Sequence, residues 1–355
     1  MKVSRVTDAR AWDDRLREQG AHPLQAWAWG SLKEQFGWQA HRLWVDDGRA
    51  AAQVLIRPFR GLAASYVPRG PLLSGEAELD RRLIRAAVAL ARSRRSAFVR
   101  LEPDILEDSP VRPALDAALE GQRFSQVERT LQPRSSIRID LTGLGQQPLG
   151  GASKGHRACV RSAERDGVSV RPATDETEVD RLHEMLRATA ARKQFGIHTP
   201  SYYRALWRLY GDDARLLLAE HGGEVVAASL IVAFGRQALY LAAGSTERGL
   251  RLHASHLLQS QALAWARERG AATYDLWGIP DARGRLALRA GQDGSEAVAE
   301  KAALEQEAVR DPLDGVYRFK KGWGGEVVRT VPAHDRVFIA PAYWFWRWRR
   351  ADSLR

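Results

Sequence analysis

From Gly315 to Val328 the chain reads GVYRFKKGWGGEVV. Lys320 and Lys321 stand directly before Gly322, Trp323, Gly324 and Gly325. Glycine at this density supplies positive φ or close approach, so the stretch predicts a tight turn. Glu326 to Val331 then reads as a strand. Two ammonium groups beside a turn with outward N–H groups would suit a phosphate or a developing oxyanion. A hairpin with solvated lysines fits the same letters. The residue order, and the missing hydroxyl, set it apart from a GxxxxGK[ST] nucleotide loop.

Other polar groups fall at strand ends and in turns, where α/β folds place their sites. Arg100, Glu102 and Asp104 alternate at the end of a strand, with Asp104 just past it behind Pro103. A carboxylate there can take a proton or orient an amine, or serve as a cap or ion pair. Lys33 sits on a helix with Trp29 and Phe36, and its stem can cross apolar surface to a cleft. Arg192 and Lys193 close a helix; they can grip a diphosphate or only complement the helix dipole. Tyr240 in ALYLAAGS is either a substrate-positioning phenol or a core aromatic. Trp277-Gly278-Ile279-Pro280-Asp281 can floor a cleft, and Asp275 is either a buried acid or a loop anchor. His253 and His256 share a helical side, but no third metal ligand is evident, so no metal is expected.

These residues need elements to hold them. The 355 residues suffice for two domains, and 45% hydrophobic content provides real cores. The excess of 54 Lys plus Arg over 43 Asp plus Glu, +11 in all, favours an anionic partner without choosing one. The single cysteine, Cys159, forms no intrachain bridge and fits a reducing compartment. The start has no apolar h-region, and no apolar run reaches transmembrane length. The tail Tyr343–Arg350, YWFWRWRR, suits either a docked final element or an anionic lipid surface.

Each half reads helices, hairpin, strand, helix, strand. The first has hairpin strands at 41–45 and 51–59, a strand at 97–101 and SIRIDL (136–141) as its last strand. The second has a hairpin around His221-Gly222-Gly223, a long helix at 252–269 and a strand at 273–277. This predicts an internal duplication: an α/β chain of two similar mixed-sheet domains. The expected division is residues 1–146, 147–330 and a C-terminal segment 331–355 that returns to the first domain, with the boundary in the glycine- and glutamine-rich 143–155 stretch. Residues 296–309 can form a short helix but no long coiled-coil arm.

Taken together, Gln25-Ala-Trp-Ala-Trp, Lys33, Glu102-Pro-Asp, Tyr274-Asp-Leu-Trp-Gly-Ile and Gly315-Val-Tyr-Arg-Phe-Lys-Lys-Gly-Trp-Gly-Gly-Glu resemble the Fem family of tRNA-dependent peptidoglycan cross-bridge aminoacyltransferases. The resemblance covers nearly the whole chain. It implies tandem acetyltransferase-like (GNAT-type) domains, as in the compact members. It implies transfer of an amino acid from aminoacyl-tRNA, the co-substrate, to the stem peptide of lipid II or of UDP-MurNAc-pentapeptide. It implies no cofactor and no metal. By the same resemblance Lys33 and Arg192, with Lys193 as the neighbouring register, would contact precursor phosphate. Asp104, with Glu102 as its neighbour, would face the acceptor amine. Phe319 and Lys320, flanked by Lys321, would face the aminoacylated tRNA end. Tyr240 and Trp277 would help to position substrate. A cytoplasmic monomer, touching the inner face of the plasma membrane through Tyr343–Arg350, is the simplest expectation.

Two other readings remain open on the residues alone. One is an acyl-coenzyme A-dependent N-acyltransferase, whose phosphate cradle would be Ser245–Arg251, STERGLR, before the Leu252 helix. The other is a basic RNA- or membrane-binding protein without catalysis.

Overall fold

The computed structural model describes residues 3–143, 149–193, 196–292 and 295–349, with backbone alone for 191–193 and 348–349. The chain forms two compact units, Met1–Arg134 with Arg329–Arg355, and Ser135–Val328.

The first unit opens with β1 (Val3–Arg5), α1 (Ala9–Glu18), α2 (Trp27–Gln35), β2 (Gln39–Val45), β3 (Ala50–Phe59) and β4 (Leu62–Pro68). It continues with α3 (Ala77–Ser93), β5 (Ser96–Glu102), α4 (Arg112–Leu119) and β6 (Ser125–Val127). Asp8 caps α1 by accepting from the N–H groups of Arg10 and Ala11, and the i, i+4 pair Trp12 and Leu16 is buried. α3 buries Leu79, Leu83, Ile84, Ala87, Val88 and Ala91 along one face against the β2–β5 hydrophobes.

The second unit holds β7 (Ser135–Asp140), α5 (Lys154–Arg165), β8 (Ser169–Pro172), α6 (Val179–Lys193), α7 (Pro200–Tyr210), β9 (Ala214–His221), β10 (Glu224–Phe234) and β11 (Gln237–Ser245). Next come α8 (Glu247–Arg251), α9 (Ala254–Glu268), β12 (Thr273–Gly278), α10 (Asp281–Ala287), α11 (Ser295–Arg310), α12 (Asp314–Lys321) and β13 (Glu326–Arg329). The Gly222-Gly223 turn takes φ +61° and +79° and joins β9 to β10, within the hairpin expected around His221-Gly222-Gly223. β14 (Ala333–Val337) and α13 (Ala340–Arg349), the last described elements, belong to the first unit.

The sheets run β1-β2-β3-β4-β5-β14-β6 and β13-β7-β12-β11-β10-β9-β8. In each, four antiparallel strands lead into one parallel pair, β4–β5 or β11–β12. A helical crossover links that pair, α3 in the first sheet and α8–α9 in the second. An antiparallel strand follows, β14 in the first sheet and β7 in the second. The duplication is therefore carried strand by strand.

One reading needs correction. β7 was expected to end the first half, but it pairs with β12, setting Ile139 against Tyr274 and Arg138 against Asp275. The corresponding place in the first sheet goes to β14, which pairs with β5 and β6. The units divide at Arg134/Ser135, ahead of the glycine- and glutamine-rich stretch, of which 144–148 lie outside the described residues. An alternating apolar strand carries no mark of which sheet it joins. α10 and α11 pack together through Arg283 and Glu305 at 2.6 Å, and no long coiled-coil arm occurs among the described residues.

Candidate functional site

The two lysines close a helix, and the expected turn follows them, with Gly324 and Gly325 at φ +86° and +79°; the outward N–H groups expected of it are what the structure corrects. α12 runs through Lys321, and its last N–H groups are spent on its own carbonyls. Gly322 N donates to Arg318 O, Trp323 N to Lys320 O and Gly324 N to Lys321 O. These N–H groups do not face an anion, and a helix C-terminus presents negative potential instead. Lys321 is exposed and donates to Gly325 O at 3.2 Å. The apolar residues around the two lysines had suggested neither a helix nor which ammonium would be buried.

Lys320 is the buried one, 6% exposed. Its Nζ donates to Trp277 O at 3.2 Å and Gly278 O at 2.7 Å. An ammonium has three N–H groups, so one remains for a substrate. Burial pulls this ammonium down to about 7, with the Asp275 carboxylate acting in the opposite sense. Protonated and neutral forms therefore coexist near neutral pH. Trp277 reaches its carbonyl position at φ +65°, and Asp275 Oδ1 accepts from its N–H at 2.7 Å. Asp275 Oδ2 accepts from Ser136 Oγ and Arg138 Nε at 3.2 and 3.1 Å. Asp275 is thus the loop anchor of the two readings, and Trp277 contributes its backbone.

Lys320 lines a cavity of about 570 Å³ with Phe319, Tyr240, Thr189, Ser255 and His256. Tyr240 lies where β11 bulges against β10, and burial pushes its phenol well above the usual range. It is therefore a neutral hydroxyl donor. The Phe319 ring lies 5.1 Å from that of His256 and 5.8 Å from that of His156. His156 Nε2 donates to Phe319 O at 2.8 Å, with Ser153 Oγ 3.2 Å from its Nδ1. Gly322 permits this approach, because a Cβ there would sit 1.9 Å from His156 Cε1. Sequence reasoning missed Thr189, Ser255 and His156. Only the glycine beside Lys321 signalled a close neighbour, and it did not say which.

In the first unit Lys33 is 5% exposed, with Nζ 4.7 Å from the Trp29 ring centroid. Burial, then Arg57, pulls it down to about 7. Asp104 is largely buried, its Oδ1 3.6 Å from Arg69 Nη1, so the ion-pair reading describes it in this state. Glu102 Oε2 accepts from Tyr66 OH at 2.7 Å and Gln132 N at 3.0 Å, and Oε1 from Leu131 N at 2.6 Å. Burial raises its carboxyl above the ordinary value. Glu102 therefore anchors the 131–132 turn. α6 ends at Lys193, and the side chains of Arg192 and Lys193 lie outside the described residues.

Tyr343 and Trp346 dock α13, with ring centroids 5.3 and 6.3 Å from that of Phe98. Trp344 and Phe345 remain 60% and 41% exposed. Trp348 and beyond lack described side chains.

The proposed phosphate cradle is largely self-satisfied. Thr246 N donates to Val226 O at 2.9 Å and Gly249 N to Thr246 Oγ1 at 3.0 Å. Arg248 is held by Glu224 at 2.8 Å and His221 at 2.7 Å.

Residues 151–284 match the family model described as an acetyltransferase (GNAT) domain. With the duplicated sheets, this defines a tandem GNAT-type α/β protein. A tandem GNAT protein from the clavulanic acid biosynthesis pathway shares the fold, with a TM-score of 0.51, 14% identity and coverage of 95% of this chain and 98% of its own. The crystal structure of FemX superposes far more closely, with a TM-score of 0.78, 18% identity and 97% and 99% coverage. The chain thus shares its fold with FemX over nearly its whole length. A Weissella viridescens protein named UDP-N-acetylmuramoylpentapeptide-lysine N(6)-alanyltransferase is 23% identical over 265 residues, 71% of this chain and 78% of the relative.

Proposed function

We propose that this protein transfers an amino acid from aminoacyl-tRNA to a stem-peptide amino group of a peptidoglycan precursor, in lipid II or its UDP-linked form. The carrying observation is Lys320, buried on a cavity wall and oriented by two backbone carbonyls. The similarity to FemX and to the alanyltransferase of Weissella viridescens supports the substrate class.

In the reaction the amine nitrogen bonds to the ester carbonyl carbon, and the C–O bond to the tRNA ribose breaks. The amine loses a proton and the ribose oxygen gains one. The ester is already activated, so holding the reactants in line supplies much of the rate. We assign the third N–H of Lys320 to the carbonyl oxygen as it becomes negative. Phe319 and Tyr240 shape the wall beside it. We assign Lys33 to the precursor phosphate, together with Arg192 or Lys193. Asp104 would orient the amine or relay its proton once Arg69 yields it. The excess of basic residues suits both polyanionic substrates.

We read α13 as a contact with anionic lipid, placing the protein at the cytoplasmic face of the membrane. Exposed Trp344 and Phe345 would enter the interface, and Arg347, 5.1 Å from the Trp344 ring, would meet lipid phosphate. No helix among the described residues is long and apolar enough to cross a membrane.

The deciding experiment combines purified protein, defined charged tRNAs and both precursor forms, with mass analysis of the product. The precursor should gain the mass of one amino-acid residue or more only when charged tRNA is present. Transfer from an acyl-coenzyme A instead would replace this reading.

A further inference from the structure

Two histidines of the cavity wall meet a cysteine from a neighbouring helix, a group of a different chemistry. Cys159 lies on α5, His253 precedes the first turn of α9, and His256 lies on that turn. One ligand atom from each falls within 4.8 Å of the other two. Cys159 forms no disulfide. Among the described residues His256 Nδ1 is buried and has no hydrogen-bond partner. Such an orphan is costly unless something outside the chain satisfies it. Both nitrogens of the nearby His156 are engaged, by Phe319 O and Ser153 Oγ, so it buttresses the group.

We propose that Cys159, His253 and His256 form a binding site for a zinc-class transition-metal ion, with the fourth coordination position open to the cavity. A thiolate and two imidazoles are the donor set that such ions take in preference to calcium or magnesium. In a tetrahedral zinc site these donor atoms stand about 3.3–3.6 Å apart, so closure requires the widest separation to contract by about 1.2–1.5 Å through side-chain rotation. His253 and His256 already line the cavity, which directs the open position inward. The ion would tie α5 to α9 and fix the wall against which Phe319 packs. The sequence could not show this site, because the third donor comes from a different helix.

The test uses the full chain, stripped with chelator and titrated with Co²⁺ and with Zn²⁺. One Co²⁺ should bind per chain and produce thiolate-to-cobalt charge-transfer absorption. Zn²⁺ should displace it and raise Tm. Cys159→Ser should abolish the charge-transfer absorption, and His256→Ala should weaken binding by about tenfold or more. Metal-free Tm values of the variants, compared with metal-free wild type, show that they fold. No stoichiometric binding, or binding that both substitutions leave unchanged, overturns the proposal.

Discussion

Arg100 and Asp335 lie 235 residues apart and meet as a buried bidentate pair, Nε–Oδ1 at 2.8 Å and Nη2–Oδ2 at 2.7 Å. Tyr343 OH adds a 2.9 Å bond to the same carboxylate. The pair sits where β14 lies beside β5, so it fastens the returning C-terminal segment into the first sheet. Asp335→Ala leaves a buried guanidinium without its counter-charge and should cost about 3–5 kcal/mol. Urea unfolding measures it. The double change Arg100→Met with Asp335→Leu should recover most of that loss, because no unpaired charge remains.

Lys320→Met keeps most of the stem and removes the donor. Transfer should slow by about 10²–10³-fold, the scale of losing one oxyanion donor. If the ammonium acts, the rate declines as pH rises through about 7, where Lys320 loses its proton. Lys320→Arg keeps the charge at every accessible pH and should shift that limb upward, whatever its effect on the maximum. Single-turnover rates against pH check both points. Normal turnover by folded Lys320→Met removes the residue from the reaction.

Burial of two ammonium groups also shapes stability. Lys33 and Lys320 both fall from an ordinary 10.5 to about 7 on folding. Between those values the unfolded chain holds protons that the folded chain has released, so stability rises with pH across that window. Below about 7 both states carry the protons and these groups contribute no slope. Above about 10 buried Tyr66, Tyr240 and Tyr274 act in the opposite sense, because folding pushes their phenols upward. Tm should therefore climb from pH 7 to about 9.5, and the Lys33→Met, Lys320→Met double variant should flatten the climb. An equal slope in both proteins would show that the two lysines are not its source.

The duplicated architecture was legible because it rests on local pattern: turns such as Gly222-Gly223, the amphipathic spacing of α3, and repeated element order. The exchange of β7 for β14 was not legible, because pairing partners are chosen by tertiary packing. At the site, Lys320 stood out by its glycine-rich company. Its burial depends on where the carbonyls of Trp277 and Gly278 lie in space. Glu102 and Asp104 occur in the same short stretch, and only their partners, Tyr66 and Arg69, separate an anchor from an acid held in an ion pair. His156 and Cys159 carried no local signal, since their neighbours come from α9 and α12.

The glycines after Lys321 can be tested against a matched control. Gly325 and Gly167 both have φ +79°. A Cβ at Gly325 would meet Arg138 O at 2.6 Å, whereas at Gly167 nothing lies within 4 Å. Gly167→Ala bears the backbone strain alone and should cost about 1 kcal/mol. Gly325→Ala adds a clash with the β7 backbone and should cost about 2–4 kcal/mol. Denaturant midpoints of the two variants compare them directly, and equal losses would mean that the β7 contact contributes nothing.

The aromatic helix at the C-terminal end makes the last prediction. Trp344 and Phe345 are exposed, while Tyr343 and Trp346 hold α13 to Phe98. Replacing the exposed pair by serine removes interfacial apolar surface without touching the docked pair, so the fold should survive. Wild type should sediment with vesicles rich in anionic lipid and release as salt rises, because the arginine contribution is screened. The Trp344→Ser, Phe345→Ser variant should lose most of this binding, about tenfold or more, given roughly 25 cal/mol per Å² of apolar area withdrawn from water. It should still transfer to the soluble UDP-linked acceptor at the wild-type rate, since neither residue belongs to the Lys320 cavity. Equal sedimentation of variant and wild type, or binding to neutral and anionic vesicles alike, would assign α13 to packing within the first unit alone.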